Sequence, residues 1–245
     1  MKELVEFSRK YGSDPELVLA GGGNTSMKEK GVLYVKGSGC SLSTIREENF
    51  VAMDLAKLLE ILDKDYPAED REREAMFLAD VSKAKLPGEE NKRPSVEALL
   101  HALFPQRYVL HLHPALVNGL TCGLDGEKIS GELFPDAIWV EACRPGYTLA
   151  KLLDDMMTAL KARLPGELPE KLEDVDLSKP FTPDHIVYCG VGPALPDTEN
   201  ARLLYRDAQK INWYAGAFGG PKPLDEELVQ FILNWEAESY RKKQS

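Results

Sequence analysis

Residues 17–39 read LVLAGGGNTSMKEKGVLYVKGSG, and how this stretch divides between strand and loop decides the fold class. The run VLYVK at 32–36 reads as a short strand, and glycines at 21–23 and at 37 and 39 interrupt the chain on either side of it. Three consecutive glycines alone fit a tight turn with positive φ. Asn24, Thr25 and Ser26 follow them, however, and a glycine-rich turn that exposes backbone N–H groups beside amide and hydroxyl side chains forms a concave cradle for an anion. Gly37-Ser38-Gly39 repeats that chemistry at the end of the strand. No Gly-Lys-Ser/Thr follows either loop and no GxGxxG is present, so neither a Walker loop nor a dinucleotide fingerprint accounts for them.

Outward from this stretch, further strands are expected at 108–111, 138–142 and 186–189. Helices are expected at 2–11, 52–62, 72–80, 95–103, 148–162, 200–214 and 225–241. Alternation of the two types predicts an α/β protein, and 245 residues at 43% hydrophobic composition suffice for one domain spanning 1–245. The proline-rich, acidic segment at about 161–183 reads as an irregular surface connection. In the last helix, Phe231, Ile232 and Trp235 recur at helical spacing and mark a core or subunit-contact face.

A net charge of −10 argues against a nucleic-acid or anionic-membrane partner, because phosphate neutralisation needs a basic surface. No apolar run reaches the roughly 18–20 residues of a membrane span, and the first residues read as an amphipathic helix, so a cytoplasmic location is expected. Cys40, Cys122, Cys143 and Cys189 are widely separated and form no CxxC, which suggests reduced thiols.

Three of the four histidines lie in RPSVEALLHALFPQRYVLHLHPALVNG, residues 93–119. His111 and His113 are two apart on an apolar strand, so alternation would place both imidazoles on one face, a chelating arrangement. Glu97 and His101 are four apart and share a helical face. The apolar surroundings of Glu97 predict partial burial, which suits a proton-transfer carboxylate, and His101 is placed to orient it or to satisfy a backbone carbonyl. Ser95 begins the same helix and can offer its hydroxyl to an anion.

GGGNTSMK, LYVKGSG, RPSVEALLHALFP and HLHP occur in the order and approximate spacing of the class II aldolase/adducin family, and the chain resembles its sugar-phosphate aldolase branch from about 17 to 152. The resemblance implies a three-layer α/β/α fold with a central, mostly antiparallel sheet, and a homotetramer. It implies a divalent metal, normally zinc, held by three histidines. The activity implied is cleavage of a ketose 1-phosphate, such as rhamnulose or fuculose 1-phosphate, to dihydroxyacetone phosphate and an aldehyde. Related decarboxylase, epimerase or dehydratase chemistry, and a non-catalytic oligomerisation module like the adducin head, are the alternatives. By matching motif, Gly23, Asn24, Ser38, Gly39 and Ser95 correspond to the phosphate cradle, Glu97 to the acid/base, and His111 and His113 to two metal ligands. The family's later His-Gly motif is absent, which leaves three alternatives: His185 as candidate third ligand, two histidines completed by Glu97 or water, or loss of metal binding.

Overall fold

The computed structural model describes residues 1–135, 137–161, 186–187 and 199–235. They belong to two compact units, the first drawn from 1–10, 24–111 and 144–175 and the second from 11–23, 112–143 and 176–245.

The first unit is organised by a hairpin that the sequence reading missed. Asn24–Glu29 forms strand β1 and Val32–Lys36 forms β2, paired from Glu29↔Val32 to Ser26↔Val35. The two residues between them, Lys30 (φ 50°) and Gly31 (φ 77°), both adopt positive φ. That is the backbone of the two-residue turns whose twist suits adjoining antiparallel strands. Residues 24–26, expected as part of an anion-binding turn, are therefore strand. NTSMKE lacks the apolar alternation of a strand, and its extended conformation comes from pairing on both sides.

β3 (Phe50–Asp54) pairs with β2 and β4 (Tyr108–His111) pairs with β1, giving an antiparallel sheet in the order β3-β2-β1-β4. The expected helix at 52–62 is corrected here. Its first residues complete β3, in register Tyr34↔Ala52 and Leu33↔Met53, and α2 occupies only Leu55–Leu59. Cross-strand pairing outweighs the helical propensity of Ala52 and Met53, and the Asp54 side chain caps the shortened helix by accepting from Lys57 N at 3.2 Å.

One face of the sheet contributes Leu33, Val35, Val51 and Met53 to the core. They pack with Leu58 of α2, Phe77 and Val81 of α3 (Asp70–Lys83), Leu99 of α4 (Ala98–Leu103) and Ala150 of α7 (Tyr147–Lys161). The other face is covered by α1 (Lys2–Gly12), where Ser8 Oγ meets Thr25 Oγ1 at 2.6 Å and the Phe7 and Tyr108 ring centroids lie 6.0 Å apart. Helix, sheet and helix form the expected three layers.

In the second unit, α5 (Ala115–Thr121), α6 (Gly126–Leu133), α8 (Glu199–Ala215) and α9 (Glu226–Asn234) accompany a parallel pair, β5 (Ile138–Trp139) and β6 (Ile186–Val187). α5 approaches α8 so closely that a Cβ on Gly119 would fall 2.3 Å from Tyr214 Cβ, which explains the glycine. β5 is shorter than expected, and α9 stops at Asn234 with Phe231 stacked on Trp235. Cys40, Cys122 and Cys143 are free thiols, whereas Cys189 and the expected connection at about 161–183, apart from Lys161 at the end of α7, lie outside the described residues. No described helix is long and apolar enough to cross a membrane.

Phe77 is fully buried at the centre of the first unit's core. Phe77→Ala is expected to cost about 3–5 kcal/mol of unfolding free energy. Urea denaturation of the variant checks this, and a loss below about 1 kcal/mol would show that the site collapses around the missing ring.

Candidate functional site

The site lies where α4 meets the polar half of β1. Glu97 is the N-cap of α4, and His101 N donates to Glu97 O at 3.0 Å, so the two side chains stand one turn apart on one helical face. Four helical residues advance about 6 Å. Two strand residues advance about 6.6 Å. The helix thus matches Asn24 and Ser26, alternate residues of β1, in step. Asn24 Nδ2 donates to Glu97 Oε2 at 3.4 Å, and His101 Nδ1 meets Ser26 Oγ at 2.8 Å.

Opposite Asn24 in the sheet stands His111, the last residue of β4, whose Nδ1 donates to the same Glu97 oxygen at 3.2 Å. The side chains of His111 and Glu97 are 20% and 19% exposed, mostly buried but reachable. Ser95 joins this cluster from the loop before α4, since its hydroxyl accepts from Asn24 Nδ2 at 2.5 Å and from Glu97 N at 3.2 Å. The expected helix start at Ser95 is corrected: helical geometry begins at Ala98, and Pro94 is held instead in a bridge to Gly37.

The second glycine loop is tied to this segment. Gly37 N donates to Asn49 O at 2.8 Å, Ser38 N to Arg93 O at 2.9 Å and Ser95 N to Lys36 O at 3.1 Å. A Cβ on Gly37 would lie 2.9 Å from Asn49 O, so close backbone approach requires that glycine. The Gly37 and Ser38 amides are thus committed to carbonyls, and an anion at this loop would use side chains and the exposed Gly39, whose φ is 85°. In the first loop Gly23 has φ 65°, Gly22 N donates to Leu19 O at 2.9 Å, and Gly21 has open space where a Cβ would stand.

β4 ends at His111, so the alternation expected over HLH stops before His113. His113 belongs to the second unit, where its N–H donates to Leu17 O at 2.9 Å. His185 lies outside the described residues. Among the described residues no group of three His, Cys, Asp or Glu side chains is arranged to hold a metal. The carboxylate on His111 Nδ1 matches the way a metal-ligating imidazole is oriented through its other nitrogen. One such imidazole does not by itself make a metal centre.

Two contributors escaped the sequence reading. Ser26, expected in an anion-binding turn, instead anchors the fully buried His101. Lys36, buried at the end of β2, donates from Nζ to Cys40 O at 2.7 Å and places a cation beneath the second loop. A lysine closing an apolar strand just before Gly-Ser-Gly was the available signal for it. His101 Nε2 is buried and has no hydrogen-bond partner among the described residues. Burial, reinforced by His111, depresses the His101 pKa to about 3, so its ring is neutral.

A sequence profile of the class II aldolase and adducin N-terminal domain matches residues 2–151. An uncharacterized oxidoreductase, YuxG, from Bacillus subtilis is 32% identical over 163 residues, which cover 62% of this chain and 23% of that protein. The chain thus spans about a quarter of that relative's length. Among solved structures, the N-terminal class II aldolase domain of a conserved protein from Thermoplasma acidophilum superposes with a TM-score of 0.57 at 27% identity, over 88% of this chain and 92% of that one. An L-fuculose 1-phosphate aldolase gives a TM-score of 0.44 at 16% identity, over 98% and 95% of the respective chains.

A histidine with a folded pKa near 3 binds its proton more readily when unfolded, where the value is about 6.5. Its stabilising contribution is complete above about pH 6.5 and declines as pH falls towards 3. His101→Leu should therefore flatten the stability–pH curve across that window. Urea midpoints at successive pH values test this, and an unchanged slope would mean that His101 is not held neutral.

Proposed function

The chain belongs to the class II aldolase and adducin family, and from that premise we propose that it is an aldehyde-lyase cleaving a ketose 1-phosphate to dihydroxyacetone phosphate and an aldehyde. The observation that carries the proposal is Glu97, a mostly buried carboxylate fixed by His111 and Asn24 at the edge of the sheet.

Breaking the C3–C4 bond of such a ketose leaves its electron pair on the three-carbon fragment as an enediolate. The C4 hydroxyl loses a proton as the aldehyde forms, and C3 must gain one. A single carboxyl group alternating between its two protonation states can move that proton, and partial burial suits it to the task. Glu97 is the group put forward for this role. Gly23, Asn24, Ser38, Gly39 and Ser95 are put forward around the phosphate, with the Lys36 ammonium adding charge beneath the second loop. The zinc or similar ion of this proposal would stabilise the enediolate when bound. Its ligands are put forward as His111, His113 and His185. A homotetramer belongs to the same proposal.

The half-reaction tests Glu97 without knowledge of the aldehyde. Dihydroxyacetone phosphate in D2O should exchange a C3 hydrogen, seen by proton NMR, and Glu97→Gln should slow that exchange by about 100-fold or more. Absence of exchange with the wild-type protein would remove the lyase proposal. Elemental analysis of protein purified without chelator is expected to give about one divalent ion per chain. No bound ion after incubation with excess zinc would remove the metal from the proposal.

A further inference from the structure

We propose that His101 is a positioning residue for Glu97 that acts through Ser26, by holding α4 in register along β1. The inference rests on the lyase reading above, because it assigns a further residue to the proton-transfer step of that reading. His101 and Glu97 are joined through the backbone, His101 N donating to Glu97 O at 3.0 Å. Their side chains are not hydrogen-bonded: His101 Nδ1 faces Ser26 Oγ, and Nε2 has no partner among the described residues. His101 and Ser26 are both wholly buried, and their contact at 2.8 Å is the only hydrogen bond of either side chain among the described residues. Removing one partner strands the other away from water.

α4 has six residues, less than two helical turns. A helix this short is not held by its own hydrogen bonds, so packing must fix where it lies. Ala98, Leu99 and Ala102 supply the apolar part of that packing, in the core on one face of the sheet. Apolar burial is non-directional and tolerates a small slide of the helix along the strand. Lys28 Nζ donates to Gln106 O at 3.2 Å beyond the far end of α4, but a lysine's flexible stem follows such a slide. The contact between His101 and Ser26 does not. Both atoms sit on short side chains, and a slide of about 0.8 Å along their line would stretch the contact past hydrogen-bond range. Misplacing a reacting group by about 1 Å is enough to cost about 100-fold in rate. The contact thus supplies the stiffness that a proton-transferring carboxylate one turn away requires.

Charge is the alternative route from His101 to Glu97. Burial holds the His101 pKa at about 3, so the ring is neutral and a neutral replacement leaves the charge beside Glu97 unchanged. What remains is the hydrogen bond and the bulk of the ring, and two variants separate them. His101→Leu keeps apolar bulk and removes the hydrogen bond. His101→Asn gives up bulk, and its side-chain amide puts a polar atom where Nδ1 stands.

The test is exchange of dihydroxyacetone phosphate in D2O. His101→Leu is expected to lower the saturated exchange rate on the order of 10- to 100-fold, with KM within about threefold of wild type. His101→Asn is expected to keep the rate within about threefold of wild type. Ser26→Ala should lower it as His101→Leu does, and the double variant should fall no further than either alone, because only one contact is lost. An undiminished rate in His101→Leu or Ser26→Ala, an equal loss in His101→Asn and His101→Leu, a larger rise in KM, or losses that multiply in the double variant overturns the proposal.

Should the His101 variants not fold, Ser26→Ala, which deletes a single buried oxygen, carries the test by itself. A lowered rate at unchanged KM supports the proposal, and a wild-type rate overturns it. Failure of the lyase reading is separately visible: wild-type protein would then show no exchange at all, and the proposal falls with it.

Discussion

The first unit depends on one constraint: β1 is a polar strand buried between two helical layers, and each of its side chains must find a partner. Asn24, Thr25 and Ser26 are 1%, 0% and 0% exposed, so none can rely on solvent. A buried amide or hydroxyl without a partner costs on the order of 1–3 kcal/mol, which makes the choice of neighbours restrictive. Thr25 is met by Ser8 on α1, Ser26 by His101 on α4, and Asn24 by Ser95 and Glu97 at the entrance to α4. These contacts settle which helix lies on which face and how far α4 is advanced along the strand.

The candidate site is a consequence of that packing. Because the rise of four helical residues nearly equals that of two strand residues, one pair of contacts fixes the other. His101 locked on Ser26 sets Glu97 beside Asn24, and strand pairing brings His111 to the same carboxylate. His101 is neutral and wholly buried, so it supports the arrangement without adding charge next to Glu97. The second glycine loop is fastened by the same logic, through Gly37 to Asn49 and Ser38 to Arg93, with the Lys36 ammonium beneath it.

Glycine serves different ends along this chain. Gly31 supplies positive φ in the hairpin, Gly37 permits backbone contact with Asn49, and Gly119 lets α5 touch α8. Only Gly23 and Gly39, both with positive φ, stay with the proposed anion cradle. The glycine-rich appearance of 17–39 therefore reflects hairpin and packing needs beside the cradle proposed for it.

The sequence by itself determined the α/β class, strands 32–36 and 108–111 to the residue, and the pairing of Glu97 with His101 on one helical face. Those features follow from local periodicity and from the spacing of side chains on one element. It could not show β1 or β3. NTSMKE is too polar and AMDLAKLL too helix-prone to announce strands, and both are extended because neighbours supply their hydrogen bonds. Nor could spacing reveal that Gly37 and Ser38 give their amides to carbonyls far along the chain, or that Asn24 meets Ser95 and Glu97, 71 and 73 residues away. A hydrogen-bonding group in a motif advertises what it can bind. Tertiary structure decides what it does bind, because a donor already taken up by a buried partner is no longer available to a ligand.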